Sequence, residues 1–162
     1  MKVIVSACLL GRNCKYSGGN NENETVKEFL KDKEILPVCP EIAVLPSPRP
    51  PVEILRGRVI RRNGEDVTAL YERGVEQTME KIREFGADLA VLKARSPTCG
   101  SHEIYDGSFT GTRVPGMGLL ARRIAALGIP VTDEEELERT DGTVSEYTIS
   151  AEKGSIYDIR RH

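Results

Sequence analysis

Four short apolar runs constrain this chain more than anything else in it. They are KVIVSA at Lys2–Ala7, ILPV at Ile35–Val38, LAVL at Leu89–Leu92 and IPVT at Ile129–Thr132. The first is rich in β-branched residues, ends in a loop, and reads as a strand buried on both faces. The other three are strand candidates of the same kind. Between them lie stretches with apolar residues at helical spacing. Val26, Phe29 and Leu30 give Glu24–Lys31 one apolar face. Val67, Leu70, Tyr71, Val75, Met79, Ile82 and Phe85 recur at steps of three or four and stop at Gly86, which predicts a long helix. Gly116–Leu127 reads as another helix, ended by Gly128. Strand and helix therefore alternate. The expected fold is a single-domain α/β architecture: a mostly parallel sheet flanked by helices on both faces, Rossmann-like and three-layered. Sites in such sheets lie at the C-terminal ends of the strands.

Departures from that alternation are local. Five prolines between Pro40 and Pro51 exclude regular structure there and imply a rigid, extended loop. Glu53–Arg62 alternates apolar and charged residues, as a small β excursion would, with Asn63-Gly64 as the next turn. Asp133–Arg139 reads as a short acidic helix with a solvated face. Beyond it the chain becomes polar, with alternation in Tyr147–Ile149 and Ile156–Ile159 that suggests a loosely attached pair of strands. The expected division is an α/β domain over residues 1–140 and a C-terminal extension over 141–162, packed on the domain or trailing from it.

The chain has 162 residues, enough for one domain with a real core. Its net charge of −2 gives no pull toward nucleic acid or membrane. No apolar run is long enough to span a bilayer, and the N-terminal residues show no signal-peptide pattern. A cytoplasmic location is the expectation, and stable disulfides are not expected there. Oligomeric state is open.

That setting draws attention to Cys8, Cys14, Cys39 and Cys99. A free cysteine is most often a small buried hydrophobe. Here, however, Cys8, Cys39 and Cys99 each follow an apolar strand candidate, Cys39 and Cys99 beside Pro40 and Gly100 and Cys8 three residues before Gly11. If those strands are parallel neighbours, the three thiols converge. Three thiolates at one sheet edge repel each other unless a cation neutralises them, which points to an iron or zinc centre. No C-x-x-C pair exists, so a zinc ribbon is excluded. Iron–sulfur clusters favour thiolate ligation. Three cysteines on a four-iron cluster would leave one iron open as a Lewis acid with a preference for sulfur.

The stretch Leu92–Gly111, LKARSPTCGSHEIYDGSFTG, concentrates the remaining chemistry. Cys99 and His102 could form a nucleophile–base pair on it. Lys93 and Arg95 flank it, either as anion or carbonyl anchors or as solvated charges. Asp106 suits a turn. Glu41 stands two residues after Cys39 at the start of the proline-stiffened loop, a surface carboxylate or a functional one. Gly18-Gly19 lacks the spacing of a phosphate loop and reads as a turn.

Several of these segments match one known pattern. SACLLG at Ser6–Gly11, Cys14-Lys15-Tyr16 with Gly18-Gly19, PVCPE at Pro37–Glu41, PSPRPP at Pro46–Pro51, LKARSPTCG at Leu92–Gly100 and YDGSFTG at Tyr105–Gly111 follow each other in order. Over about its first 130 residues the chain resembles the DUF523 family, which includes the thiouracil desulfidases. The resemblance implies an oxygen-sensitive 4Fe-4S cluster held by Cys8, Cys39 and Cys99. It implies a small thiolated nucleobase or related thio-compound as substrate, with water replacing its sulfur to give the oxo-base and sulfide. It also implies catalytic roles for Glu41, in proton transfer to or from the attacking water, and for Ser96, in orienting the substrate or passing a proton to a ring nitrogen. Cys14 is common in the family and reads as a supporting thiol. One departure is visible: Ala43-Val44 stand where many relatives carry paired glycines. Two other readings are a non-catalytic metal, cluster or small-ligand binding protein, and a metal-free thiol hydrolase using Cys99 and His102.

Overall fold

The computed structural model describes residues 1–144 and the strand backbone at 148–149 and 156–157. In chain order the elements are β1 (Lys2–Ser6), a 3-10 turn (Ala7–Leu10), α1 (Glu24–Leu30), β2 (Glu34–Val38), β3 (Val52–Leu55), β4 (Arg58–Arg61), α2 (Thr68–Phe85), β5 (Leu89–Leu92), β6 (Glu103–Tyr105), β7 (Arg113–Pro115), α3 (Leu119–Ala125), β8 (Val131–Asp133), α4 (Glu134–Arg139), β9 (Thr148–Ile149) and β10 (Ile156–Tyr157).

All four apolar runs are strands of one sheet, parallel in the order β8-β5-β1-β2. β9 pairs antiparallel with β8, and β10 with β9. The rest of the expected tail strands, Tyr147 and residues 158–159, lies outside the described residues.

Successive strand side chains point to opposite faces, and the core divides accordingly. Val3, Val5, Leu89 and Val91 pack with Val26 and Leu30 of α1 and Leu137 of α4. Ile4, Ala90, Leu92 and Val131 pack with α2 and α3 through residues such as Tyr71, Met79, Leu120 and Ile124. Each fully buried side chain of this size contributes about 1.5–3 kcal/mol. The middle strands β1 and β5 are apolar along their length because both faces are covered.

Helix ends follow local chemistry. The Asn23 side chain accepts from the Val26 amide at 3.0 Å and starts α1. Gly86, at φ 71°, ends α2 in the left-handed conformation that glycine adopts without penalty. The helix expected from Gly116 begins at Leu119 instead. The amides of Gly116 and Gly118 are occupied elsewhere, donating to the carbonyls of His102 (2.9 Å) and Gly100 (2.8 Å).

Two further expectations need correction. The stretch after β5, read as a loop throughout, contains the β6–β7 hairpin. Its strands are three residues each, too short to leave a periodic signal. The acidic helix α4 is solvated only in part, at Glu138 and Arg139. Glu134 is 5% exposed and Glu136 6% exposed. The helix grows directly out of β8 and turns its first acidic residue toward the sheet edge.

Candidate active site

The parallel sheet reverses direction of growth at β1. The chain adds β2 on one side and later β5 on the other, so loops leaving β1 and β5 diverge and open a crevice at their C-terminal ends. A cavity of about 540 Å³ occupies that position. Its lining includes Cys8, Cys14, Cys39 and Cys99, together with Glu41 and Ser96. The expected cluster ligands Cys8, Cys39 and Cys99 and the expected catalytic groups Glu41 and Ser96 therefore border one space. A larger surface hollow beside α1, about 860 Å³, has no cysteine or histidine on its lining.

All four cysteines are free thiols. Burial pushes the Cys99 thiol up to about 12, and burial likewise raises Cys8, partly offset by a hydrogen bond with Asn21. Cys14 and Cys39 form a pair. A hydrogen bond with Cys14 is the largest influence lowering Cys39 to about 7, and the same bond leads the rise of Cys14. Cys39 is thus the thiol that ionises first as pH rises, with Cys14 keeping the shared proton. In cluster-free protein, iodoacetamide at neutral pH is expected to modify Cys39 ahead of Cys8, Cys14 and Cys99. Peptide mass mapping over a pH series would show Cys39 labelling rising steeply through about pH 7.

Glu41 is buried and held at both oxygens. Arg49 Nε lies 3.3 Å from Oε1, and Thr98 Oγ1 donates to Oε2 at 2.9 Å. Arg49 also donates from Nη2 to the Cys14 carbonyl at 2.8 Å, so one guanidinium joins the first loop to the second. Ser96 Oγ lies 3.2 Å from Thr98 Oγ1 and accepts from the amides of Thr98 (3.2 Å) and Cys99 (3.1 Å). Ser96 therefore shapes the turn that presents Cys99 as well as facing the cavity.

Close backbone contacts seat both loops. The first amides of α3 have no partners within the helix. They donate to the cysteine loop: Leu119 to the Pro97 carbonyl at 3.0 Å and Leu120 to that of Thr98 at 2.8 Å. Gly118 makes this possible, because a Cβ there would fall 2.4 Å from the Thr98 carbonyl carbon. On the other side, α2 lies against the Pro40 carbonyl at Gly74, where a Cβ would come within 2.0 Å of that oxygen.

The structure separates other candidates from the cavity. His102 is not on its lining, and its Nε2 lies 3.5 Å from Asp133 Oδ2, an oxygen that also accepts from Ser101 at 2.7 Å. Lys93 and Arg95 do border the cavity but carry acidic partners. Lys93 Nζ is 2.8 Å from Glu134 Oε2, and Arg95 forms a two-pronged pair with Glu135. Glu134 also accepts from the Ala94 amide at 2.7 Å, so α4 braces the loop after β5. Gly18 lies in a turn, its amide donating to the Lys15 carbonyl at 3.0 Å.

Sequence reasoning missed Arg49, Thr98 and Glu134. Arg49 was one letter in a proline-rich loop, and Thr98 stood beside more conspicuous neighbours. The signal for Glu134 was its place at the first turn after a strand, opposite a lysine of another strand end.

The donor chemistry fits a thiophilic centre: several thiols and no histidine line the space. Thiols on one lining are the donor set that iron–sulfur clusters favour. Among the described residues, no three His, Cys, Asp or Glu side chains form a ready-made site for a single metal ion.

Comparison with known proteins agrees with this picture. A 4Fe-4S-dependent thiouracil desulfidase, TudS, has a solved structure that superposes with a TM-score of 0.78 at 38% identity, over 85% of this chain and 93% of that one. The uncharacterized protein YbbK of Bacillus subtilis (strain 168) is 34% identical over 146 residues, 83% of this chain and 97% of its own length. The family model described as 2-thiouracil desulfurase matches residues 3–136, which span every loop that borders the cavity, and the chain belongs to that family.

Proposed function

We propose that this protein is a hydrolytic desulfidase. It would remove sulfur from a thiolated nucleobase such as 2-thiouracil, giving the oxo-base and sulfide, with a 4Fe-4S cluster held by Cys8, Cys39 and Cys99. The observation that carries this reading is the meeting of those three thiols, Glu41 and Ser96 on one cavity at the switch point of the sheet. Membership of the desulfurase family and the likeness to a cluster-dependent desulfidase support it.

When bound, the cluster would supply an iron with affinity for the substrate sulfur. The chain's own residues do the rest. Glu41 lines the cavity, where it can take a proton from the attacking water and later return one toward the departing sulfur. Arg49 keeps its carboxylate aimed, and removing one partner of such a buried pair costs about 3–5 kcal/mol. Ser96 faces the same space, placed to orient the base or exchange a proton with a ring nitrogen. The overall change is C=S plus water to C=O plus hydrogen sulfide, with no electron transferred.

The test is anaerobic reconstitution with iron and sulfide, followed by incubation with 2-thiouracil. Bound iron, an iron–sulfur absorbance and stoichiometric uracil and sulfide are expected. Iron-free protein after reconstitution would overturn the reading, and a bound cluster without turnover would favour a binding protein. His102→Ala is expected to leave sulfide release within about twofold, since surface changes away from a site are usually near neutral. Strong inactivation would instead favour the thiol hydrolase reading.

A further inference from the structure

We infer that Thr98 is the hydroxyl that joins Ser96 and Glu41 into one proton-transferring unit, an inference that rests on the desulfidase reading above. Lone-pair accounting carries it. A serine oxygen has two acceptor positions and one proton. Both acceptor positions of Ser96 Oγ are engaged, by the amides of Thr98 at 3.2 Å and Cys99 at 3.1 Å. Its proton is left for Thr98 Oγ1, 3.2 Å away.

Thr98 has one proton as well, and two candidates to receive it. Glu41 Oε2 lies at 2.9 Å and Cys99 Sγ at 3.7 Å. The carboxylate is nearer and charged, so it takes the bond. Its other oxygen is held by Arg49 Nε at 3.3 Å. The result is an oriented chain, Ser96 to Thr98 to Glu41. Thr98 is 1% exposed, so bulk water does not compete for its hydroxyl.

In this arrangement a proton crosses between the two cavity walls without leaving the protein. A proton from the substrate ring nitrogen joins Ser96 Oγ, taking the place of one amide donor, as the serine's own proton passes to Thr98 and the original Thr98 proton joins Glu41 Oε2. Ser96 and Thr98 each end with one proton, the substrate loses one and Glu41 gains one, and the reverse transfer retraces the same atoms. Thr98 borders the cavity between Ser96 and Glu41, and its hydroxyl exchanges its own proton in the transfer, so it takes part in the relay directly. The pairing also explains how residues 55 positions apart in sequence act in one step.

Two measurements decide the inference. The first uses cluster-free protein and needs no activity. Unfolding midpoints are compared for Ser96→Ala, Thr98→Val and Glu41→Gln, singly and in pairs. Non-additive shifts for Ser96 with Thr98, and for Thr98 with Glu41, are expected. Additive shifts overturn the hydrogen-bonded chain. The second uses cluster-loaded protein. Thr98→Val, which keeps the shape and removes the hydroxyl, is expected to lower kcat about 10- to 100-fold with little change in KM, in the range of general acid–base contributions. Iron content should match wild type, the solvent isotope effect on kcat should change, and Thr98→Ser should recover most of the rate. Unchanged kcat in Thr98→Val, or failure of Thr98→Ser to recover with equal iron content, overturns the inference. Wild-type protein that holds a cluster but releases no sulfide overturns the desulfidase reading instead.

Discussion

Replacing Cys8, Cys39 or Cys99 with alanine is expected to reduce bound iron after anaerobic reconstitution and to bring sulfide release to background. Each comes from a different strand end, and no other thiol can take its place without moving a loop. Cys14 is the control. It borders the same cavity, but its side chain is the partner of Cys39 and its carbonyl is the acceptor for Arg49. Cys14→Ala leaves that carbonyl in place. Iron binding close to wild type is expected for it, with a faster loss of cluster in air because Cys39 loses the hydrogen bond that favours its thiolate. Iron content by colorimetric assay and the visible absorbance check both sets. Wild-type iron content in any of the three ligand variants would remove that residue from the set. Loss of iron in Cys14→Ala alone would show that the supporting thiol is itself a ligand.

Gly74→Ala is expected to destabilise the protein, against the usual sign for such a change in a helix. In an unencumbered helix, alanine is favoured over glycine by about 1 kcal/mol. Here the added Cβ would fall 2.0 Å from the Pro40 carbonyl oxygen and 3.2 Å from Val44 Cγ2. A backbone carbonyl cannot swing aside as a long side chain can, so helix and loop must separate. Overpacking of this kind costs about 1–3 kcal/mol or more, which outweighs the propensity gain. A fall in thermal midpoint of about 2–10 °C is expected for a chain of this size. Because the displaced segment carries Cys39 and Glu41, iron binding should fall as well, with helix content retained. A midpoint above wild type would mean that the loop yields freely. The same reasoning applies to Gly118→Ala, which would push the Cys99 loop from the other side through the Thr98 backbone.

These two glycines mark the boundary of what can be read without the fold. The strands, their parallel stacking and the two-faced core were legible because buried strands and amphipathic helices impose different periods on apolar residues. The thiols at Cys8, Cys39 and Cys99 were legible for a related reason. A cysteine just after a strand must lie at the C-terminal edge of the sheet, whichever strand it follows. The hairpin after β5 was not legible, because strands of three residues are too short to show a period. Nor was the burial of Glu134, since three adjacent glutamates look like a solvated face until a lysine from another strand meets one of them at 2.8 Å.

By itself, then, the sequence determined the alternating α/β architecture and the three cysteines at the sheet edge, while Glu41 and Ser96 joined them only through the family resemblance. The first two depend on local order along the chain: which residue type follows which run. Only the tertiary structure decided how the parts hold one another. It placed Arg49 between Glu41 and the Cys14 carbonyl, and set Thr98 between Ser96 and Glu41. It also paired His102 with Asp133, away from Cys99, and seated the ligand loops on Gly74 and Gly118. Hydrogen bonds act over about 3 Å and contacts between backbones over less. Which groups come that close depends on the packing of segments far apart in sequence, and no spacing along the chain records it.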